Sequence, residues 1–397
     1  MFRVRGGQPP ESGPRSGARR VWMVLAAMFA ALALVGMTAC GGDDDDGGSA
    51  STSADTSASG DGSEPKNVVA FLPTTAETYH GKWRDGAKAE AEGAGWTIKF
   101  IENDFSQTEQ DVQVQQQLSS GEEVDLYIWW AADSEAGLAS LRQLMNTGTP
   151  VFLANVKAPP GTPEDSFTLY TGVDDSLIGQ QNAEQLIELR DAWADEGKEL
   201  HGEGGNLIMV NLLPGYQAGI DRAKALRETL EGSGITVLDE QNSEGGAPEN
   251  GFDTASQMIP RFKPEGIDFA WSAMDALSAG TINALEDAGY TPGEDVGVVA
   301  GNCHGRQENL ENGKQYATNL QGPEIEGTYA IVVAQRYFNG GEQVEPGESY
   351  AEADPDNPPE TTGPVYKFDY IPTPSLLGTD LESLKLWGST ASEACDF

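Results

Sequence analysis

The sequence predicts an α/β protein of two lobes, each a doubly wound and largely parallel sheet, joined by a hinge of three strands. Short runs rich in β-branched residues alternate with helical patterns at intervals of about 30 residues, as strand–helix–strand units do. Once the N-terminal region is set aside, about 330 residues remain, which is comfortable for two domains. Three strand-like segments interrupt the alternation, and three passages between two lobes would explain them.

The predicted strands are short apolar runs. In chain order they are residues 67–72, 96–101, 124–130, 150–155, 206–212, 235–238, 267–271 and 296–300. Helical patterns lie between them, and residues 81–93 and 133–145 are examples with apolar residues at helical spacing among charges. Gly93 and Gly95 are typical of the stop after the first helix. This order predicts right-handed crossovers with helices on both faces of each sheet.

The three interruptions set the expected lobe boundaries. The passages between the lobes are predicted at residues 167–172, 316–320 and 365–371. The N-terminal lobe is then residues 66–172 plus 322–364, and the C-terminal lobe is residues 173–321 plus 365–397. A chain that crosses three times between lobes leaves them free to hinge, because few residues connect them.

Residues 1–39 are predicted to be a signal peptide. Arg19 and Arg20 precede an apolar run at 21–35, which is short of the roughly 20 residues that a spanning helix needs. The run ends in small residues where a signal peptidase could cut, so we favour export over membrane insertion.

The segment Met-Thr-Ala-Cys-Gly at 37–41 resembles the lipobox of bacterial lipoproteins, with Met37 where that motif usually has Leu. The resemblance implies that Cys40 carries a lipid that anchors the protein to the outer face of the cell membrane. Residues 40–65 are small and polar, which predicts a flexible linker. The alternative is an ordinary secretory peptide that ends elsewhere.

The net charge argues against negatively charged partners. The chain has 63 acidic and 24 basic residues, a formal net charge of −39. This balance argues against binding nucleic acid or an anionic membrane surface. Solubility outside the cell is the simpler explanation of the acidity.

Two cysteines remain after Cys40, namely Cys303 and Cys395. An even pair in an exported domain is a candidate disulfide, because such compartments are oxidising. This bond would also hold the C-terminal tail.

Several segments, taken in order, resemble the sugar-binding proteins of ABC importers related to ribose-binding protein. They are Trp83-Arg84-Asp85-Gly86-Ala87, the strand 150–155, Gly172-Val173-Asp174-Asp175, the strand end 298–302, and Ala317-Thr318-Asn319-Leu320-Gln321. The resemblance covers most of residues 66–371 and implies a type I periplasmic-binding fold whose lobes close on a sugar or polyol. It also implies a membrane permease as partner, a monomer, and no cofactor. A ligand-sensing module on the same fold is the alternative function.

The ligand in such a fold lies beyond the carboxyl ends of the strands. We therefore predict contacts from residues that follow strands or lie at a passage: Glu77, Tyr79, His80, Trp130, Asn155, Tyr216, Trp271, Asp275, Asn302 and Gln321. Carboxylates and amides would pair with adjacent hydroxyls, and aromatic faces would stack on the C–H side of a sugar ring. Each aromatic could instead be core packing, and Trp129 is expected in the core because it alternates with Trp130.

The resemblance also predicts what the site lacks. Tyr79 and His80 align with paired aromatics of the family, Asn155 and Asn302 each align with an Asp, and Gln321 is identical. Val156 and Ile220 stand where the ribose-type pattern has arginines, so we expect no bidentate arginine grip on ring hydroxyls and a ligand other than ribose. The role of Arg306 is left open.

Enzymatic alternatives find little support. Residues 301–305, Gly-Asn-Cys-His-Gly, fit a nucleophile-elbow pattern after a strand, which makes a cysteine hydrolase using Cys303 the best rival. No His follows His304 to act as the base, however. No P-loop is present, and three dispersed His with two Cys have no metal-ligand spacing. We therefore expect no catalytic residues and no metal.

Overall fold

The computed structural model describes residues 64–73 and 78–395. The predicted signal peptide, most of the linker, the lipidated Cys40 and the predicted contact Glu77 lie outside the described residues. Among the residues that are described, no helix has the length and apolar character needed to cross a membrane.

The strands are numbered in chain order. They are β1 (Asn67–Pro73), β2 (Thr97–Asn103), β3 (Leu126–Trp129), β4 (Val151–Ala154), β5 (Leu169–Gly172), β6 (Asn206–Asn211), β7 (Thr236–Asn242), β8 (Phe269–Ser272), β9 (Gly297–Ala300), β10 (Ala317–Asn319), β11 (Glu345–Tyr350), β12 (Tyr366–Tyr370), β13 (Ser375–Leu377), β14 (Lys385–Leu386) and β15 (Ser389–Thr390).

The α-helices are numbered likewise. They are α1 (Thr78–Gly93), α2 (Gln107–Ser120), α3 (Leu138–Met145), α4 (Asp175–Asp195), α5 (Gln217–Leu230), α6 (Pro248–Phe262), α7 (Asp275–Asp287), α8 (Gln307–Glu311), α9 (Pro323–Asn339) and α10 (Ala391–Cys395). Short 3-10 helices lie at Glu164–Ser166 and Gly378–Asp380.

The first lobe is built on a seven-stranded sheet in the order β11-β12-β5-β4-β3-β1-β2, with every neighbouring pair parallel. Its central strands are buried on both faces, which explains why β1 reads as an unbroken apolar run rather than an alternating one. Trp129 packs in the core on one face of this sheet, beside Phe71, while Trp130 belongs to the core on the other face.

The second lobe contains a six-stranded sheet in the order β13-β10-β9-β8-β6-β7. All pairs are parallel except β10 with β13. Helices α4 with α5 and α6 with α7 pack in pairs on this sheet, while α1 packs with α9 in the first lobe. The predicted fold class, an α/β protein with parallel-sheet lobes, is confirmed.

One boundary is corrected by the pairing of β12. The sequence predicts that residues 365–397 belong to the C-terminal lobe, but Phe368 and Tyr370 of β12 pair with Tyr170 and Gly172 of β5 in the first sheet. The chain passes to the second lobe only after Tyr370, and β13 then joins the second sheet. Sequence periodicity predicts that a segment is a strand but not which sheet it joins, because pairing is a long-range contact. Residues Glu345–Tyr350, which the strand pattern does not predict, form the edge strand β11 next to β12.

The helix predicted at 133–145 begins later, at Leu138. Asp133 Oδ1 accepts hydrogen bonds from the backbone N–H groups of Glu135 and Ala136, at 3.0 and 2.8 Å, and so forms a turn before the helix. An Asp side chain that bonds its own backbone in this way favours a turn over a helix interior.

The C-terminal tail is held against the second lobe. A disulfide joins Cys303, in the loop after β9, to Cys395 in α10. Around it Leu310, Leu320 and Leu386 pack with other buried apolar side chains in a small core of their own. With its sulfur in this bond, Cys303 has no thiol that could act as the nucleophile of a hydrolase.

Candidate ligand-binding site

A cavity of about 440 Å³ lies between the two lobes, at the carboxyl ends of both sheets. Seven of the ten predicted contact residues line it: Tyr79, His80, Trp130, Asn155, Tyr216, Asn302 and Gln321. The volume falls within the range of small-molecule sites, and both lobes contribute to the lining. Parallel strands bring their following loops to one edge, which explains why residues so far apart in sequence meet here.

Asn155 occupies a turn directly after β4, with a φ of +59°. Asn tolerates this left-handed conformation better than most side chains, because it hydrogen-bonds locally. Its backbone N–H donates to Thr171 O at 3.2 Å, and its carbonyl accepts from the Tyr170 hydroxyl at 3.1 Å. Gly172 lies against this turn with a φ of +148°, and a Cβ there would come within about 3.1 Å of Asn155 N and Glu326 Oε1. The position therefore requires glycine.

The first-lobe wall of the cavity is a hydrogen-bonded network around Glu326, in the first turn of α9. The Asn155 Nδ2 donates to both Glu326 oxygens, at 3.0 and 3.1 Å, and the Tyr79 hydroxyl also donates to this carboxylate. Gln321 Nε2 donates to the Tyr79 hydroxyl at 2.8 Å. Sequence reasoning missed Glu326, although an acidic residue in a first helical turn that also falls on the buried stripe of α9 is a signal worth reading.

Contacts between aromatic side chains bring the lobes together over the cavity. Trp130 Nε1 in the first lobe donates to the Tyr216 hydroxyl in the second at 2.9 Å. The rings of Tyr79 and His304, again from opposite lobes, meet edge to face with centroids 4.3 Å apart. The structure thus shows the two lobes in contact through residues that line the cavity.

An arginine does line the cavity, contrary to the expectation drawn from Val156 and Ile220. Ile220 is 44% exposed, whereas Arg222 is 3% exposed and belongs to the buried stripe of α5. Its guanidinium pairs with Asp175 at 2.8 Å and donates to Ala273 O at 2.7 Å and to Gln321 Oε1 at 3.0 Å. Helical spacing could have found it, because Arg222 follows Ala218 and precedes Leu226 by four residues each.

Two predicted contacts lie away from the cavity. Trp271 is fully buried within β8, and its Nε1 donates to Asn182 Oδ1 of α4 at 2.8 Å. Asp275 accepts from Gln315 Nε2 at 2.5 Å, from Thr318 Oγ1 at 2.7 Å and from Asn302 N at 3.0 Å. Asp275 therefore holds the loop that presents Asn302. Although it follows a strand, its carboxylate bonds this loop and does not face the cavity, so a position after a strand was not sufficient to predict a ligand contact.

Burial governs the protonation of the site. It lowers the pKa of His80 to about 3, so this imidazole is neutral, and its Nδ1 has no hydrogen-bond partner in the structure. Burial also lowers the pKa of His304 and raises those of Tyr79 and Tyr216, so these groups are neutral as well. The pKa of Asp275 is raised to about 7 by the same cause, against hydrogen bonds from Thr318 and Gln315.

Other cavity residues were not predicted. Phe105 lies in the loop after β2 with a φ of +49°, an uncommon backbone conformation for an aromatic residue, and its ring meets that of His80 with centroids 5.2 Å apart. Met274 and Arg306 also line the cavity, the latter at its exposed edge. Among the described residues no group of His, Cys, Asp and Glu could hold a metal ion.

Two parallel-sheet lobes, connected by three passages and closed over a polar and aromatic cavity, define a type I periplasmic-binding protein. The family model described as "Periplasmic binding protein domain" matches residues 68–342, and the chain belongs to this family. No curated protein matches the sequence.

Solved structures agree on the fold. The periplasmic ribose ABC transporter protein of Conexibacter woesei DSM 14684 has a TM-score of 0.62 at 19% identity, over 84% of this chain and 98% of its own. A galactofuranose-binding protein has a TM-score of 0.64 at 18% identity, over 83% and 97%. A solute-binding protein of Bacillus halodurans C-125 with bound myo-inositol has a TM-score of 0.63 at 19% identity, over 80% and 97%.

Proposed function

We propose that this protein is the extracytoplasmic solute-binding component of an ABC importer and that it binds a sugar or polyol between its lobes. The observation that carries the proposal is the cavity, in which amide side chains and aromatic rings from both lobes face one space. Asn155, Asn302 and Gln321 supply paired donors and acceptors for hydroxyls, while Tyr79 and Trp130 supply faces for a sugar ring. The ligands named for the similar structures, ribose, galactofuranose and myo-inositol, belong to the same chemical class.

The remaining parts of the proposal concern partners and place. The protein acts as a monomer that delivers its ligand to a membrane permease, and a lipid on Cys40 tethers it outside the cell through the linker 40–65. The net charge of −39 accords with a soluble exported domain. No cofactor and no catalytic step are part of this function.

A ligand screen tests the proposal. Thermal melts of the soluble domain would be recorded with pentoses, hexoses, inositols, sugar acids and amino acids. We expect one sugar or polyol to raise the melting temperature, because a ligand that binds only the folded state stabilises it. Stabilisation by amino acids alone, or by nothing in the panel, would contradict the proposal.

Substitutions then test the position of the site. Replacing Asn155, Asn302 or Gln321 with Ala removes a hydrogen-bonding group from a closed cavity, which costs about 1–3 kcal/mol. We expect the affinity for the sugar to fall by roughly one to two orders of magnitude in each variant. Asn312→Ala, at an exposed position of the second lobe, is the control. Affinities within about twofold of the parent in all three variants would place the site elsewhere.

A further inference from the structure

Glu326 is a buried carboxylate that lies behind the cavity wall and has no part in the proposed ligand contacts. Glu326 is 1% exposed. The buried arginine of the site, Arg222, forms its ion pair with Asp175 and not with Glu326. The partners of Glu326 are hydrogen-bond donors, namely the Tyr79 hydroxyl, the Asn155 amide and the Gln321 amide, the last at 3.4 Å. A carboxylate surrounded by donors is satisfied in its ionised form.

These bonds fix which atoms face the ligand. Since Asn155 directs its Nδ2 at Glu326, its Oδ1 is left towards the second lobe, where it accepts one long hydrogen bond, from the Tyr216 hydroxyl at 3.5 Å, and keeps a second lone pair. Gln321 is oriented by the same network, because its Oε1 accepts from Arg222 and its Nε2 donates to Tyr79. The first-lobe wall of the cavity therefore presents the Oδ1 acceptor of Asn155, and a ligand group placed against it has to donate a hydrogen bond.

We propose that Glu326 is a positioning residue that determines specificity. Its carboxylate orients Asn155 and Tyr79 so that the first-lobe wall accepts hydrogen bonds, and the wall therefore selects a hydroxyl or ammonium group of the ligand over a carboxylate. The inference rests on the proposed function, since it concerns the ligand of the same site. Glu326 acts through its neighbours and does not line the cavity itself.

The charges that face Glu326 make this role dependent on pH. Burial, helped by the charge of Asp175 of α4, raises its pKa to about 7 against the hydrogen bonds from Tyr79, Asn155 and Gln321. Tyr170 of β5, Tyr216 and Arg222 of α5, and His304 after β9 are the other titratable or charged groups around this network. Tyr170, Tyr216 and His304 are neutral near pH 7, and burial raises the pKa of Asp175 against the effect of its partner Arg222. If binding needs the ionised carboxylate, the affinity falls below pH 7 by up to about tenfold per unit.

A measurement without ligand tests the orientation directly. Side-chain amide 1H–15N resonances of Asn155 and Gln321 would be followed from pH 8.5 to 5.5 in the parent, in Glu326→Gln and in the control Glu324→Gln, which alters an exposed residue of the same helical turn. We expect both resonances to move with a midpoint near pH 7 in the parent and the control, and to be displaced but independent of pH in Glu326→Gln. Resonances that ignore both pH and the substitution would overturn the inference, whether or not a sugar binds.

A measurement with ligand tests specificity. Calorimetric titrations would use myo-inositol, D-galactose, D-glucosamine and D-galacturonate at pH 5.5, 7 and 8.5. We expect a neutral or amino sugar to bind the parent, and Glu326→Gln to bind that sugar at least tenfold more weakly, while Glu324→Gln stays within twofold. For a neutral sugar, the affinity of Glu326→Gln should depend less on pH than that of the parent, and the remaining dependence belongs to Asp275, which holds the loop of Asn302. Glu326→Asp, which keeps the charge, serves if the Gln variant does not fold, and it should retain the pH dependence. Preference for galacturonate, or full affinity in Glu326→Gln, would refute the role of Glu326. If none of the four probes binds, the proposed function is in question, and the amide resonances still decide whether Glu326 orients the side chains of the first-lobe wall.

Discussion

Trp130 of the first lobe donates a hydrogen bond from its indole nitrogen to the hydroxyl of Tyr216 of the second, at 2.9 Å. The two residues are separated by 86 positions in sequence, and the bond is buried. A hydrogen bond between the lobes exists only when they are together, so we assign it to a closed state of the kind that periplasmic-binding proteins reach by hinge closure.

Tyr216→Phe should therefore favour the open state. Loss of one buried hydrogen bond is worth about 1 kcal/mol, which is roughly a fivefold change in the ratio of closed to open molecules. Small-angle scattering of the ligand-free variant should give a larger radius of gyration than the parent, and addition of the sugar found in the screen should contract both. Tyr290→Phe, a half-buried tyrosine of the second lobe away from the cavity, is the control. An unchanged radius in Tyr216→Phe would mean that this bond does not hold the lobes together.

Arg222→Met should destabilise the fold as well as the site. The substitution leaves Asp175 buried without its ion-pair partner, and breaking a buried pair from one side costs about 3–5 kcal/mol. Urea denaturation measures the free energy of unfolding, and the double variant with Asp175→Asn should recover part of the loss. Arg227→Met removes a half-exposed arginine of the same helix that pairs with Glu240, so it should cost no more than about 1 kcal/mol. Equal losses in the two arginine variants would contradict the role given to Arg222.

The contrast between these arginines shows what the sequence could and could not predict. Strands such as β1 were predictable because burial on both faces leaves an unbroken apolar run. Asn155 and Asn302 were predictable as cavity residues, since each follows a parallel strand and so lies at the carboxyl edge of its own sheet. Arg222 and Glu326 were missed because a charged residue on a helix is expected at the surface unless its buried partner is known. The assignment of β12 failed for a similar reason, because its pairing with β5 joins residues about 200 positions apart.

Asp275 should make stability depend on pH. Its pKa in the folded protein is raised to about 7 by burial, while in the unfolded chain it is about 4. A carboxyl group with a raised pKa contributes stability below pH 4, and this contribution is lost as the pH rises towards 7, at up to about 1.4 kcal/mol per unit. The melting temperature of the parent, compared with that of Asp275→Asn, should fall across this window and level off above it. A difference between the two proteins that stays constant from pH 4 to 8 would show that Asp275 does not titrate in the window.

Cys40→Ala tests the lipid anchor. The apolar run before it, the small residues Gly36, Thr38 and Ala39 and the polar linker after it together predict cleavage at Cys40 and lipidation there. We expect the variant to leave the membrane fraction or to keep its signal peptide, as seen by fractionation and intact mass. Ser51→Ala in the linker should behave as the parent does. Unchanged anchoring and processing of Cys40→Ala would show that the protein is held by other means.

The disulfide between Cys303 and Cys395 should stabilise both the tail and the ligand-binding loop. Cys303 lies between Asn302 and His304, which both line the cavity, and its partner is 92 positions away in a tail that otherwise contributes a small apolar core. Closing a loop of this length stabilises the fold by roughly 4–5 kcal/mol in the chain-entropy model, and native-state strain commonly reduces the gain. We therefore expect the double variant, Cys303→Ser with Cys395→Ser, to have a lower melting temperature and weaker sugar binding than the parent, and each single variant to behave like the double one.

Non-reducing peptide mapping of the exported protein is the direct measurement of the bond, and it should recover residues 303 and 395 in one cross-linked peptide. Two free thiols, with Cys303 alkylated quickly at neutral pH, would refute the bond and return the cysteine hydrolase to consideration.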